Sequence, residues 1–330
     1  MSESTLTLSL PDLQAEVGYM LGYTRGPWSD ANNVADIASV IRSGYRQFLI
    51  PPPLKPNMRP HEWSFMRPTT TLTTVASYST GTITVVAGVV TLASGTFPSF
   101  GTAIGELTVT STNTSYTVST RDSGTQLTLT DTSVAVSAGA SYTLGFPVYD
   151  LPDDWGSFIG PLTYRPGTGD LYGPVEVVGE HHIRSKRQGS DSFDRPQLAA
   201  VKPKTFTAST GQRFQISFWP TPDAAYVLTY RYNANPDAMT VTNLYHVGGM
   251  RFSECLLESC LAVAERKMGD MAGIHHQAFM SLLAACVSFD ANLMSPDFLG
   301  TNNDRSDWAG RSITHNDVNH NVTVNGVVYS

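Results

Sequence analysis

Apolar residues recur at helical spacing over the first fifty positions of the chain. Leu13, Val17, Met20 and Leu21 follow Ser9 and Asp12, whose spacing resembles a capping box, and together they predict a first helix. The run "GYTRGPWSD" interrupts the pattern. Ser29 or Asp30 then starts a second helix whose apolar face carries Val34, Ile37, Ile41, Tyr45 and Phe48. Pro51, Pro52 and Pro53 end it, because proline lacks an N–H and clashes with the preceding turn. The stretch "PPPLKPNMRPHEW" is expected to run extended along a surface.

Near Thr69 the period changes from helical to alternating. As far as Phe146 the chain is mostly Thr, Ser, Val, Gly and Ala, with only Glu106, Arg121, Asp122 and Asp131 charged. "TITVVAGVVTL" predicts two short strands turning at Gly88. "RDSG" predicts a second hairpin turn, after which Gln126, Thr128 and Thr130 alternate with Leu127 and Leu129. About six strands in about eighty residues predict a small β-barrel or sandwich. The module reads as an insertion, because a different style resumes on either side.

From 148 to 246 the pattern stays β-rich with longer loops. Phe214, Ile216 and Phe218 share one face of a strand, as do Tyr226, Leu228, Tyr230 and Tyr232 of another. "TPDAA" between them predicts that the two strands pair as an antiparallel hairpin. Helical spacing returns from 251 to 294. One stripe holds Phe252, Leu256, Leu257, Cys260, Leu261 and Ala264; a second holds Phe279, Leu282, Leu283, Cys286, Val287 and Leu293. The short break "GDMAG" predicts that these helices fold back on each other, with Pro296 ending the pair. The polar, Asn-rich remainder has no apolar period and reads as an arm without its own core. Its end, "NVTVNGVVYS", suits either a tiny hairpin or strand addition to a partner's sheet, which makes Val322, Val324, Val327 and Tyr329 candidate arm contacts.

Composition narrows the function classes. Charged residues are only 15% of the chain, well below the usual quarter, which suggests surfaces covered by partners. A formal charge of −7 argues against a general nucleic-acid binder. Cys255, Cys260 and Cys286 are too few and too scattered for a disulfide framework or a metal knuckle, and read as reduced core thiols. "MSESTLTLSL" lacks the form of a secretory signal, and no apolar run is long enough to span a bilayer, so folding in a reducing, aqueous compartment is expected.

Candidate chemistry is sparse. Asp153 and Asp154 in "LPDDWGSFI" form either an acid/base pair or the cap of a short helical turn carrying Trp155 and Phe158. Adjacent residues point apart, which favours the cap. His181 with His182 lack metal-ligand spacing, since neighbours fall on opposite faces of a strand, and His275 with His276, which begin a helix, lack it too. No hydrolase, zinc-protease or phosphate-loop motif occurs. No catalytic residue, metal site or cofactor is expected. Arg184, Lys186 and Arg187 form the one basic cluster, read as a solvated loop or as a contact with a partner's carboxylates or with DNA in a channel.

The order of these elements is distinctive: two helices ending in prolines, "YDLPDDWGSFIGPLTY" after a β insert, "DRPQLAAVKP", then "FQISFWPTPDAAYVLTYRYNANP", a helical pair and a polar arm. It resembles the head-to-tail adaptor (connector) proteins of tailed bacteriophages, over roughly residues 8–68 and 148–297. Leu151 to Phe158 and the Gln215 to Pro236 segment carry the resemblance most specifically. It implies an α+β fold: a bundle of two N-terminal and two C-terminal helices with a β hairpin region. The adaptor core would be 1–68 with 148–297, the inserted all-β barrel or sandwich 69–147, and the extended C-terminal arm 298–330.

The resemblance further implies a structural virion protein at the head–tail junction, assembled in the host cytoplasm. Such proteins form rings, commonly of twelve copies, that dock under the portal, extend the channel for genomic DNA and offer a surface to tail or nozzle proteins. The β insert would project outward for a tail fibre or a decoration, and no membrane is involved. The alternative is a receptor-binding or fibre-associated virion protein using the β module, against which stands the absence of shaft repeats and heptads.

Overall fold

The computed structural model describes residues 3–55, 59–165, 173–189, 192–269, 273–293, 322–324 and 327–329. Among them lie five α-helices: α1 (Leu10–Met20), α2 (Ala31–Leu49), α3 (Glu180–Gly189), α4 (Ser253–Lys267) and α5 (Ile274–Leu293). None of these is long and apolar enough to cross a membrane. The chain forms two compact units, Met1–Pro68 with Ala234–Thr301 and Thr69–Asn233 with Asn302–Ser330.

The first unit is helical, and its elements arise where the apolar period placed them. Asp12 accepts hydrogen bonds from the Ser9 N–H (2.9 Å) and the Ser9 hydroxyl (2.6 Å), satisfying an orphan donor at the start of α1. Asp30 caps α2 by accepting from the Asn32 N–H at 2.8 Å. Leu13, Val17, Ile37, Val40, Ile41, Phe48, Leu256, Cys260, Phe279 and Leu283 close into one core. Gly44 lets α2 approach α4: a Cβ there would sit 2.6 Å from the Cys260 Cα. The Ser259 hydroxyl donates to the Gly44 carbonyl across this crossing at 2.8 Å. The predicted turn-back of α4 and α5 is present, and His275 in the first turn of α5 bonds through Nδ1 to Glu258 of α4 at 2.9 Å.

Within residues 59–67, Trp63 alone departs from the expected surface path, while Arg59, Pro60 and Glu62 are exposed. Trp63 is 1% exposed and stacks on Phe48 at 5.3 Å and on Phe65 at 5.4 Å. Its indole N–H donates to the Phe48 carbonyl at 2.8 Å, satisfying one of the acceptors that the end of α2 leaves open. A single large aromatic, with its polar atom partnered, anchors this otherwise exposed or half-buried segment to the core.

The second unit is β-rich. Its strands are β1 (Thr69–Thr73), β2 (Ile83–Val86), β3 (Val89–Leu92), β4 (Ala103–Val109), β5 (Thr114–Arg121), β6 (Gln126–Leu129), β7 (Val136–Ala140) and β8 (Tyr142–Asp150). They continue with β9 (Trp155–Tyr164), β10 (Glu176–Val177), β11 (Leu198–Pro203), β12 (Phe214–Trp219) and β13 (Val227–Ala234). A further pair, β14 (Val322–Val324) and β15 (Val327–Tyr329), forms a small antiparallel hairpin. Ten strands build one sheet in the order β10-β11-β12-β8-β4-β5-β6-β3-β2-β7, and β1-β13-β9 build a second.

Both predicted short hairpins form. Ala87 (φ 49°) and Gly88 (φ 76°) make the left-handed turn between β2 and β3, as a two-residue hairpin loop requires. The "RDSG" turn joins β5 to β6.

Two β expectations are corrected. The predicted barrel does not close: the ten-stranded sheet is open, with β10 and β7 as its ends. Strand β8 carries the sheet beyond 69–147 instead of closing it on itself, because it pairs with β4 on one edge and with β12, outside that segment, on the other. The strands at Phe214 and Tyr226 do not pair with each other either. β12 has β11 and β8 as neighbours, and β13 lies between β1 and β9 in the other sheet. "TPDAA" is therefore a passage between sheets. The two stripes are bridged through β9: Trp155 lies 4.9 Å from Phe214 and 5.3 Å from Phe158, which lies 5.1 Å from Tyr230.

Candidate interaction surfaces

Asp153 and Asp154 sit in the turn between β8 and β9, where the Trp155 N–H donates to the Pro152 carbonyl at 3.0 Å. The expected helical turn is a tight turn into a strand. The two carboxylates diverge, as neighbours do. Asp153 pairs with Arg213 Nε at 2.9 Å, and Asp154 accepts from the Tyr232 hydroxyl at 3.0 Å. Burial, helped by that bond, pushes the Tyr232 phenol up to about 12. Each aspartate thus fastens a loop to a neighbouring strand, and the two share no common target.

The basic cluster is not a loop. Residues 180–189 form helix α3, with Glu180 in its first turn and Lys186 and Arg187 in its last, an order that complements the helix dipole. Ile183, 3% exposed, anchors it. Helical rather than extended geometry also changes the reading of His181 and His182, which are both exposed on its first turn.

The three cations have different surroundings. Arg187 makes a paired contact with Glu106 of β4, and both side chains are mostly covered. Lys186 lies over the Trp219 ring at 5.1 Å from its centroid. Arg184 is 74% exposed and reaches Glu180 at 3.8 Å. The sequence placed these three together; the fold turns one of them inward.

His275 and His276 begin α5, the first against Glu258 and the second donating its backbone N–H to Glu265 at 3.3 Å. No group of three or more His, Cys, Asp or Glu stands close enough to hold a metal among the described residues. Cys255, Cys260 and Cys286 are all free and buried, and burial pushes the Cys260 thiol up to about 12. Pro296 and most of the arm lie outside the described residues. Of the arm, β14 and β15 are described: Val322 is opposite Tyr329 and Val324 opposite Val327 in the backbone register.

The family model described as SU10 adaptor protein matches residues 116–297, more than half of the chain. The chain belongs to the SU10 adaptor protein family. This is a family of phage structural adaptors. The match takes in both segments that carry the resemblance most specifically, Leu151 to Phe158 and Gln215 to Pro236, together with α3 and the α4–α5 pair. It begins within β5 and leaves α1 and α2 outside. A comparison with curated proteins finds no match.

Sequence reasoning missed several organising residues of this SU10 adaptor. Glu106 stands out in hindsight as the lone acid in a long uncharged β stretch. Asp290 is likewise a lone carboxylate inside an apolar helical stripe, "CVSFDANL", and it is fully buried. A charge isolated in an apolar pattern is a signal that it has a partner elsewhere in the chain.

Proposed function

We propose that this adaptor is a virion structural protein that forms a closed ring between portal and tail. The ring extends the channel through which genomic DNA passes and provides the attachment surface for tail or nozzle proteins. The observation that carries this reading is the family match across 116–297, which spans both the β-rich and the helical unit. A head-to-tail contact repeated by rotation gives each copy two different partner faces and closes into a ring, here of twelve copies.

Two properties of the chain support the reading. Its scarcity of charge suits surfaces covered by neighbouring copies. Its net negative charge suits a channel that DNA must traverse without sticking. In this account the segment 69–147, whose strands from β2 onward make up one end of the large sheet while β1 joins the second sheet, elaborates the adaptor core and presents a surface to a tail fibre. The segment 298–330 is an arm that engages the portal or a neighbouring copy.

The test is binding to the portal protein of the same virion. Full-length chain is expected to form a stable complex with it, and deletion of 300–330 is expected to abolish that complex. Unchanged docking by the truncated chain overturns the arm assignment. No complex with either chain overturns the portal partnership.

A further inference from the structure

The geometry points to the outward side of helix α3 as a contact for the phosphate backbone of duplex DNA, with Arg184 and Lys186 as its cations. This inference rests on the adaptor reading and deepens it by naming which residues meet the DNA. The sequence holds three cations within four residues at 184–187, in a chain whose acids outnumber its bases by 28 to 21. The fold sorts them. Arg187 is committed to Glu106, while Arg184 and Lys186 are exposed.

The rest of the outward side sharpens the choice of occupant. His181, His182, Ser185 and Gln188 are exposed beside the two cations, and Ile183, the apolar residue of the run, faces inward. Protein–protein contacts are centred on buried aromatic or apolar anchors, and α3 offers none outward. Contacts to a phosphate backbone need none. They use Arg, Lys, Ser and Gln donors that carry no sequence preference. The one carboxylate on the helix, Glu180, lies in its first turn, a turn before Arg184, and it is the group that Arg184 reaches at 3.8 Å. An exposed, screened pair of this kind contributes little and yields readily to a phosphate. Arg187–Glu106 and the buried Ile183 hold the helix on its sheet, while Lys186, which lies over the Trp219 ring at 5.1 Å, and Arg184 change partner.

Two cations per copy make a weak site, and repetition around a ring makes a collar of them. Such a collar touches the DNA backbone by charge without reading its sequence, and each contact is weak enough, within an otherwise acidic chain, for the DNA to slide.

The experiment uses the full-length protein as purified, a short labelled duplex of mixed sequence, and fluorescence anisotropy over a salt series. The same preparations are imaged by negative-stain microscopy. Wild type is expected to bind with an affinity that falls steeply with salt. Arg184→Ser with Lys186→Ser is expected to weaken binding at least tenfold and to flatten the salt slope by about one for each cation removed. Arg184→Ser alone gives an intermediate result, and Arg25→Ser, on α1's side of the chain, leaves binding unchanged. Rings that form normally but bind the duplex equally well with and without the two cations overturn the inference and leave the adaptor reading standing. Loss of rings with duplex binding retained also overturns it, because α3 would then join copies. Absence of rings in the wild type contradicts the adaptor reading itself.

Discussion

Asp290 of α5, with no solvent exposure, accepts a hydrogen bond from His61 Nε2 at 2.7 Å. The same carboxylate accepts from the Ser64 N–H at 2.9 Å and from the Ser64 hydroxyl. Three donors from one short segment make this buried charge tolerable, and between them they seat Trp63 in the core. Asp290→Ala removes the acceptor for all three and is expected to destabilise the helical unit by about 3 kcal/mol. Ser64→Ala removes one bond and is expected to cost about 1 kcal/mol. Urea denaturation followed by tryptophan fluorescence reads both, since Trp63 reports directly on the segment.

A second buried polar network sets a pH dependence. His246 lies with Nδ1 2.8 Å from the Val247 carbonyl and Nε2 2.9 Å from the Ser253 hydroxyl, which itself accepts from the Leu8 N–H at 3.2 Å. The arrangement fits a neutral ring, donating at Nδ1 and accepting at Nε2. Burial, opposed by the Val247 bond, lowers its pKa below the ordinary 6.5. The unfolded chain therefore takes up the proton first. The stabilisation is complete above about pH 6.5 and is lost as the pH falls toward the folded-state value. His246→Gln keeps one donor and one acceptor but does not titrate. Its denaturation midpoint is expected to fall less than that of the wild type between pH 7.5 and pH 5.

The crossing of α2 and α4 tolerates no side chain at Gly44. Gly44→Ala places its methyl against the Cys260 backbone, which cannot yield without separating the helices. The expected loss is about 1–3 kcal/mol, measured by thermal unfolding. A glycine in the middle of an exposed helix usually gains from this change, so the sign discriminates.

Much of the helical unit was legible in the sequence because its signals are local. Ser9 with Asp12, Asp30 and the apolar stripes of α2, α4 and α5 specify elements whose bonds join residues a few positions apart. What was illegible depends on distant partners. Nothing near Phe214 or Tyr226 states that each strand's edges are already taken by others, so a hairpin seemed the economical pairing. Trp63 looked like surface because its stacking partner Phe48 and the carbonyl it bonds belong to another element.

The candidate site divided in the same way. Clustering of Arg184, Lys186 and Arg187 is a property of the sequence. That Arg187 turns inward depends on Glu106, some eighty positions away, on a strand whose register no local pattern specifies.

That long-range pair gives a fourth prediction. Arg187→Ala leaves Glu106 partly covered and without its guanidinium, and is expected to loosen α3 at a cost of about 2 kcal/mol. Hydrogen exchange should rise in the amides of 180–189 while β11 and β12 stay protected. Equal rises in helix and strands would show that the pair holds the sheet rather than the helix.

Imaging the purified chain, alone and mixed with its portal protein, reaches the central claim with fewest intermediate steps. Closed rings with a central hole, stacked coaxially on the portal when both are present, are the predicted result. Monomers that ignore the portal, or trimeric rods, would contradict it.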